Sequence, residues 1–153
     1  MTKATVADEL VTAVLTASRA LVAVSARSLA AVDDVVSLAQ FRALVVMRRG
    51  SLNLNGLADE LGVNSSTAMR SVDKLAAAGL VSRRENPANR REVTLELTGD
   101  GARLVDDVTA RRRREIARIV GRMPAGRRDE LTAALRAFAD AAGEPAAGAS
   151  VGW

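Results

Sequence analysis

Apolar residues in this chain recur at spacings of three and four almost from end to end. They alternate one for one where Val93, Leu95 and Leu97 are separated by Thr94 and Glu96. A period near 3.6 belongs to a helix burying one face and a period of two to a strand, so the pattern predicts a mainly α chain with one small β-hairpin. Composition agrees: alanine fills 30 of the 153 positions and proline three, a mixture that favours helix. A chain of this length can bury roughly 68 to 70% of its unfolded surface, enough for a core without covalent staples.

The first 38 residues read as one long helix or two. Leu10, Val14, Ala17, Leu21, Val24, Ser28 and Val32 form a stripe, widened by Val11, Leu15, Val22 and Leu29, and a stripe so wide requires more than one partner surface. Asp33-Asp34 is expected to begin a new helix, because carboxylates favour a helix N-terminus, with Val36, Gln40, Ala43, Leu44 and Met47 continuing the period up to Gly50. Ser51 to Asn53 can be no more than an edge strand. Leu54 to Leu61 makes a short helix closed by Gly62, and Asn64 caps a second helix from Ser65 to Ala78 with Ala68, Val72 and Leu75 on its inner face. Strands at Leu80 to Glu85 and Arg91 to Leu97 flank the turn-rich loop Asn86-Pro87-Ala88-Asn89-Arg90. Thr98 caps a long helix to about Arg122, Pro124 opens a last helix carrying Leu131, Leu135, Phe138 and Ala142, and residues 143–153 are expected to form a flexible C-terminal tail.

The residue types that are missing exclude most chemistry. There is no Cys, His or Tyr, which removes thiol nucleophiles, thiol redox sensing and Cys or His metal sites. A general base would have to be a carboxylate or one of the two lysines, Lys3 and Lys74. Neither enzymatic activity nor a cofactor or metal is expected. No charge-free stretch exceeds nine residues, as at Leu10 to Ser18, against the roughly 20 that cross a bilayer. The start, Met1-Thr2-Lys3-Ala4 followed by Asp8-Glu9, lacks the apolar core of a secretory signal. A cytoplasmic protein without a membrane span is the expectation.

Charge is concentrated rather than spread. Between Asn64 and Arg91 stand six basic residues (Arg70, Lys74, Arg83, Arg84, Arg90 and Arg91) and two acidic ones, a local net of +4 that equals the net charge of the whole chain. A patch of this kind points to a polyanion. Leu54 to Leu97 also has the order of a winged helix-turn-helix: short helix, glycine turn, second helix, hairpin. The outer face of the second helix would enter a major groove about 12 Å wide. Ser65, Ser66 and Thr67 at its N-terminus, with Met69, Arg70 and Lys74 further along, are the candidate groove and phosphate contacts. Arg83 and Arg84 would track phosphates from the hairpin, and Arg90 and Arg91 would reach a narrow minor groove from its tip. With Phe41, Phe138 and Trp153 as the only aromatics, a stacking platform for single strands is improbable and duplex DNA is the better target. A winged helix used as a protein- or RNA-interaction module is the competing class.

These residues resemble the MarR family of bacterial transcriptional regulators. The resemblance is carried by Leu57-Ala58-Asp59-Glu60-Leu61-Gly62-Val63, Ser66-Thr67, Val72-Asp73-Lys74-Leu75 and Gly79-Leu80-Val81, then by Arg83-Arg84, Pro87, Asn89-Arg90-Arg91, Leu97-Thr98 and Gly101. It implies a homodimeric DNA-binding regulator, a repressor, with residues 1–35 and 99–142 forming a helical dimerisation domain and residues 36–98 the winged helix-turn-helix. It implies that Arg91 is the wing arginine. Where the family usually carries Asp two residues earlier, this chain has Asn89, which offers hydrogen bonds but no charge; Ser71 stands where a larger apolar residue is usual. The resemblance further implies release from a pseudo-palindromic operator by a small phenolic or lipophilic anion, with Ser28, Phe41, Arg42 and Val45 as the candidate ligand contacts. Arg111-Arg112-Arg113-Arg114 falls outside these assignments. Four consecutive residues cover more than one helical turn and cannot share a face, so a solvated helix with pairs to Asp106, Asp107 or Glu115 is expected.

Overall fold

The computed structural model describes residues 3–147. Among them lie six α-helices and one small sheet: α1 (Lys3–Ala30), α2 (Leu38–Arg48), β1 (Leu52–Asn53), α3 (Leu54–Leu61), α4 (Ser65–Ala77), β2 (Val81–Asn86), β3 (Asn89–Leu97), α5 (Gly99–Gly121) and α6 (Arg128–Ala141). The mainly α chain with a small hairpin is therefore what forms, with β1 added to the hairpin's edge in the antiparallel order β1-β3-β2. Of the tail, residues 148–153 lie outside the described residues.

Local signals explain most boundaries. The chain Ser37-Leu38-Ala39-Gln40 is a capping box: Ser37 Oγ accepts from the Gln40 N–H at 3.2 Å and Gln40 Oε1 accepts from the Ser37 N–H at 2.9 Å. Asp33, expected to open this helix, instead accepts from the N–H groups of Val35 and Val36 at 2.8 and 2.9 Å. That closes a turn between α1 and α2 and moves the start of α2 to Leu38. Both helices of the helix-turn-helix end on a left-handed glycine, Gly62 at φ +65° and Gly79 at φ +74°. After Gly79, the Leu80 N–H bonds Leu75 O at 2.9 Å and the Gly79 N–H bonds Ala76 O at 3.0 Å. This paired closure brings the buried Leu75 and Leu80 together below the turn. The hairpin is tighter than the sequence suggests. Asn86 pairs with Asn89, so Pro87 and Ala88 form its tip and Arg90 already belongs to β3.

One contiguous core runs through the molecule, and α2 is its axis. Ala43 to Met47 are five consecutive buried residues, because α2 touches α1, α3, α4, α5 and β3. Phe41 and Leu44 on α2, Leu57 on α3, Val72 and Leu75 on α4, and Val105 and Val108 on α5 meet around it.

The two ends of the chain are packed differently. α1 buries Val24, Ser25, Ser28 and Leu29 but leaves Val6, Leu10, Val11, Leu15, Leu21 and Val22 exposed. No residue of α6 is buried, and its Leu135 and Phe138 are exposed. By length and composition, Thr5–Ala30 is apolar enough to cross a membrane, a property that counting charge-free runs overlooks because Arg19 interrupts it. The arginine run divides as its period requires. Arg112 turns inward and is buried, while Arg111, Arg113 and Arg114 face solvent. Burial pushes the Arg112 guanidinium down from its ordinary value. Glu115 ion-pairs with Arg27 of α1, and Asp106 takes Arg48 of α2 at 3.2 Å.

Candidate nucleic-acid interface

The outer face of α4 is set by its inner one. Ala68 and Val72 are fully buried and Leu75 nearly so, which turns Ser65, Ser66, Met69, Arg70 and Lys74 to the exterior and leaves Thr67 half-buried. Asn64 Oδ1 accepts from the Thr67 N–H at 2.8 Å, so the capping load falls on Asn64 and not on the serines. Ser65 Oγ donates to Asn55 Oδ1 of α3 at 3.2 Å, which ties the start of α4 to the preceding helix and brings Asn55, a residue without a sequence signal of its own, to the same surface. Arg70 donates to Thr67 Oγ1 at 3.2 Å and lies along its own helix. Met69 remains 42% exposed, an apolar group available to a thymine methyl.

The six basic residues of the patch fall into two groups. Arg83 on β2 ion-pairs with Asp73 on α4, and Arg84 pairs with Glu96 on β3 at 3.5 Å. These two therefore fasten the hairpin to the helix and to itself. At 42% and 56% side-chain exposure, the Arg83–Asp73 pair is screened by water and contributes at most about 1 kcal/mol. Among the described residues Arg70, Lys74, Arg90 and Arg91 have no ion-pair partner, and all four are exposed. The free positive charge is thus narrower than the sequence count suggests, and it sits on α4 and at the far end of the wing.

Asn89 supplies local order in the wing. Its Oδ1 accepts from the Arg91 N–H at 3.2 Å, and Asn86 Oδ1 accepts from the Ala88 N–H at 3.0 Å, two Asx turns that hold the tip. Glu92 receives Asn53 Nδ2 at 3.4 Å and Asn86 Nδ2 at 3.2 Å, linking the wing to the N-cap of α3.

A groove of about 400 Å³ opens on another side, between α1, α2 and α6. Leu21, Arg42, Val45, Val46, Arg49 and Phe138 line it, and Glu144 to Ala147 run along one wall. Arg49 pairs with Glu60 of α3 at 3.1 Å. Of the four residues expected to meet a ligand, Arg42 and Val45 line this groove. Phe41 is fully buried in the core, and Ser28 is buried on the side of α1 that packs inward, with no hydrogen-bond partner for its Oγ. Leu21, Arg49 and Phe138 could not have been found from local sequence, because they come from α1, the end of α2 and α6 and converge only in the fold.

The MarR family matches residues 36–92. RV1404 from Mycobacterium tuberculosis is 47% identical over 93% of this chain and 97% of its own, with a TM-score of 0.86. A MarR family protein from Bacillus stearothermophilus shares 23% identity over 94% of this chain and 99% of its own, with a TM-score of 0.80. NadR, solved in complex with 4-hydroxyphenylacetate, shares 21% identity over 83% and 89% of the two chains, with a TM-score of 0.64. Comparison with curated proteins yields no match. The helix-turn-helix, its wing and the helices around them identify the chain as a member of the MarR family of winged-helix transcription regulators.

Proposed function

We propose that the protein is a homodimeric, cytoplasmic repressor that binds duplex DNA at a pseudo-palindrome and is released by a small lipophilic anion. The observation that carries this reading is the pairing of an exposed α4 face, bearing Met69, Arg70 and Lys74, with a wing whose Arg90 and Arg91 keep their charge unneutralised. Ser65, Ser66 and the free N–H groups of the first turn of α4 take phosphate, α4 takes base edges, and the wing takes the minor groove. Arg83 and Arg84 act chiefly as struts. Residues 36–98 form the reading unit.

The exposed apolar rows of α1 and α6 support a dimer built on residues 1–35 and 99–142. Contiguous exposed apolar surface marks an interface, and a second copy covers the α1 row without placing Arg19 in hydrocarbon. Two-fold symmetry then sets the half-sites about one helical turn apart, roughly 34 to 36 Å. Arg42 and Val45 in the groove suit a ligand such as an aromatic carboxylate, the ring against Val45 and the carboxylate on Arg42.

Titration of the protein against its own upstream DNA at several salt concentrations tests the reading. Tight binding with a steep fall in log affinity against log salt is expected, and weak or salt-insensitive binding would overturn it. Arg70→Ala is expected to cost about 1 to 3 kcal/mol on the operator and to relax base preference at one position per half-site. Equal loss on random DNA would make Arg70 a phosphate contact. Arg91→Ala is expected to weaken binding most where the flanking sequence narrows the minor groove, and footprinting would show retreat from those flanks. An unchanged footprint would remove the wing from the interface.

A further inference from the structure

Arg111, Arg114, Arg118 and Arg122 recur at steps of three, four and four along α5, so they fall within one quarter of its circumference. All four are exposed, and none has an ion pair among the described residues. The carboxylates expected to neutralise them are engaged by other helices. Asp106 takes Arg48 of α2 and Glu115 takes Arg27 of α1, which leaves only Asp107 at the head of the row. We propose that this row is a second duplex-binding surface, separate from α4 and the wing, that takes the phosphate backbone of DNA without reading its sequence.

Charge, geometry and position carry the inference. From Arg111 to Arg122 stand six arginines and one carboxylate, a net of +5 that exceeds the +4 between Asn64 and Arg91. The helix dipole favours cations in the last turn only, where Arg118 and Arg122 stand; Arg114 precedes the helix end by about two turns, and Arg111 by more. Along the axis the row extends about 16 Å, with one arginine about every 4.5 to 6 Å. Each guanidinium is a planar fork that takes phosphate bidentately. Beside the row the exposed positions are Ala110, Ala117 and Gly121, which offer neither an aromatic face for unstacked bases nor a large apolar one for lipid. A rigid line of charge of this kind suits the backbone of a duplex. Protein interfaces lose charge at their centres, so the row lies outside the contact between copies proposed for the apolar rows of α1 and α6. Thr98 Oγ1 fastens the start of α5 to Gly79 O at the end of α4, and Arg111 stands about 18 Å beyond Gly99 along the helix axis. A protein seated on one duplex through α4 therefore holds a second segment through α5. That bridging rests on the DNA-reading function above; the polyanion surface itself does not.

Fluorescence anisotropy of a labelled random-sequence duplex, read at several salt concentrations, tests the surface in the full-length protein. In a variant carrying Arg70→Ala, Arg90→Ala and Arg91→Ala, which strips the reading face, binding is expected to persist with a slope of log affinity against log salt of about −3 to −4, the value for four phosphate contacts. Adding Arg111→Gln, Arg114→Gln, Arg118→Gln and Arg122→Gln is expected to weaken binding about tenfold or more and to flatten the slope by about 3. Lysine at the same four positions should restore most of the loss. A flat slope in the first variant, or no change on adding the glutamines, would overturn the proposal. So would a loss that lysine does not restore, which would show that the duplex does not recognise the charge. Glutamines that release the protein from phosphatidylserine vesicles but leave duplex binding unchanged would assign the row to lipid instead. Operator preference with no effect of the row would remove this inference alone, and row-dependent duplex binding without operator preference would remove the regulator reading alone.

Discussion

Phe41→Ala is expected to lower stability by about 3 to 5 kcal/mol, the range for emptying a buried aromatic site. For a chain of this size that is a fall in Tm of about 6 to 20 °C. The ring is fully buried at the centre of the core, on the helix that touches every layer around it. Removing it leaves a cavity in a close-packed core whose surrounding side chains can relax only partly to fill it. The melt should be followed by circular dichroism at fixed protein concentration, because the Tm of the proposed dimer would depend on it. Phe41→Leu should recover most of the loss. A Tm within about 2 °C of the parent, combined with loss of ligand response, would make Phe41 a pocket wall and not a core residue.

Gly101→Ala is the second large effect, expected to cost about 1 to 3 kcal/mol or more by overpacking. A Cβ at this position would drive into the Leu80 carbonyl oxygen and would lie 3.3 Å from the Leu97 side chain. Backbone is what resists, so the helix must move. Leu80 O already accepts the Thr98 N–H at 3.1 Å, and Thr98 Oγ1 donates to Gly79 O at 2.6 Å. Here α5 is locked to the turn that ends α4. The substitution should therefore weaken DNA binding as well as stability, although every candidate DNA contact is untouched. Gly121→Ala in the same helix meets nothing within 4 Å and should stabilise by about 0.5 to 1 kcal/mol. If the two substitutions behave alike in thermal melts and in operator titrations, the close approach at Gly101 has no energetic role.

The site was legible in the sequence to the extent that its signals are local. Asn64, Gly62 and Gly79 bracket α4, and their effect operates within one turn, so the exposed face of α4 could be derived from Ala68, Val72 and Leu75 alone. The partners of the arginines could not. Asp73 lies ten residues from Arg83 and Glu96 twelve from Arg84, and each pair exists only because the hairpin folds back on α4 and β3. A count of basic residues therefore overstated the free charge. Asp33 shows the same limit at shorter range. A carboxylate before an apolar run suits both a helix start and a turn; here Asp33 spends its two backbone N–H bonds on the turn, and the reciprocal capping box of Ser37 and Gln40 sets the start of α2.

By itself the sequence determined that this chain is mostly helical, that its one hairpin follows a helix capped by Asn64, and that thiol, imidazole and disulfide chemistry are absent. Periodicity, caps and composition act within a few residues and need no knowledge of the rest of the fold. Only the tertiary structure decided that α2 buries five consecutive residues, that Arg112 alone of its run points inward, and that Leu21, Arg42 and Phe138 share one groove with residues 144–147. Those facts depend on which surfaces meet, and burial is a property of the meeting, not of either surface alone.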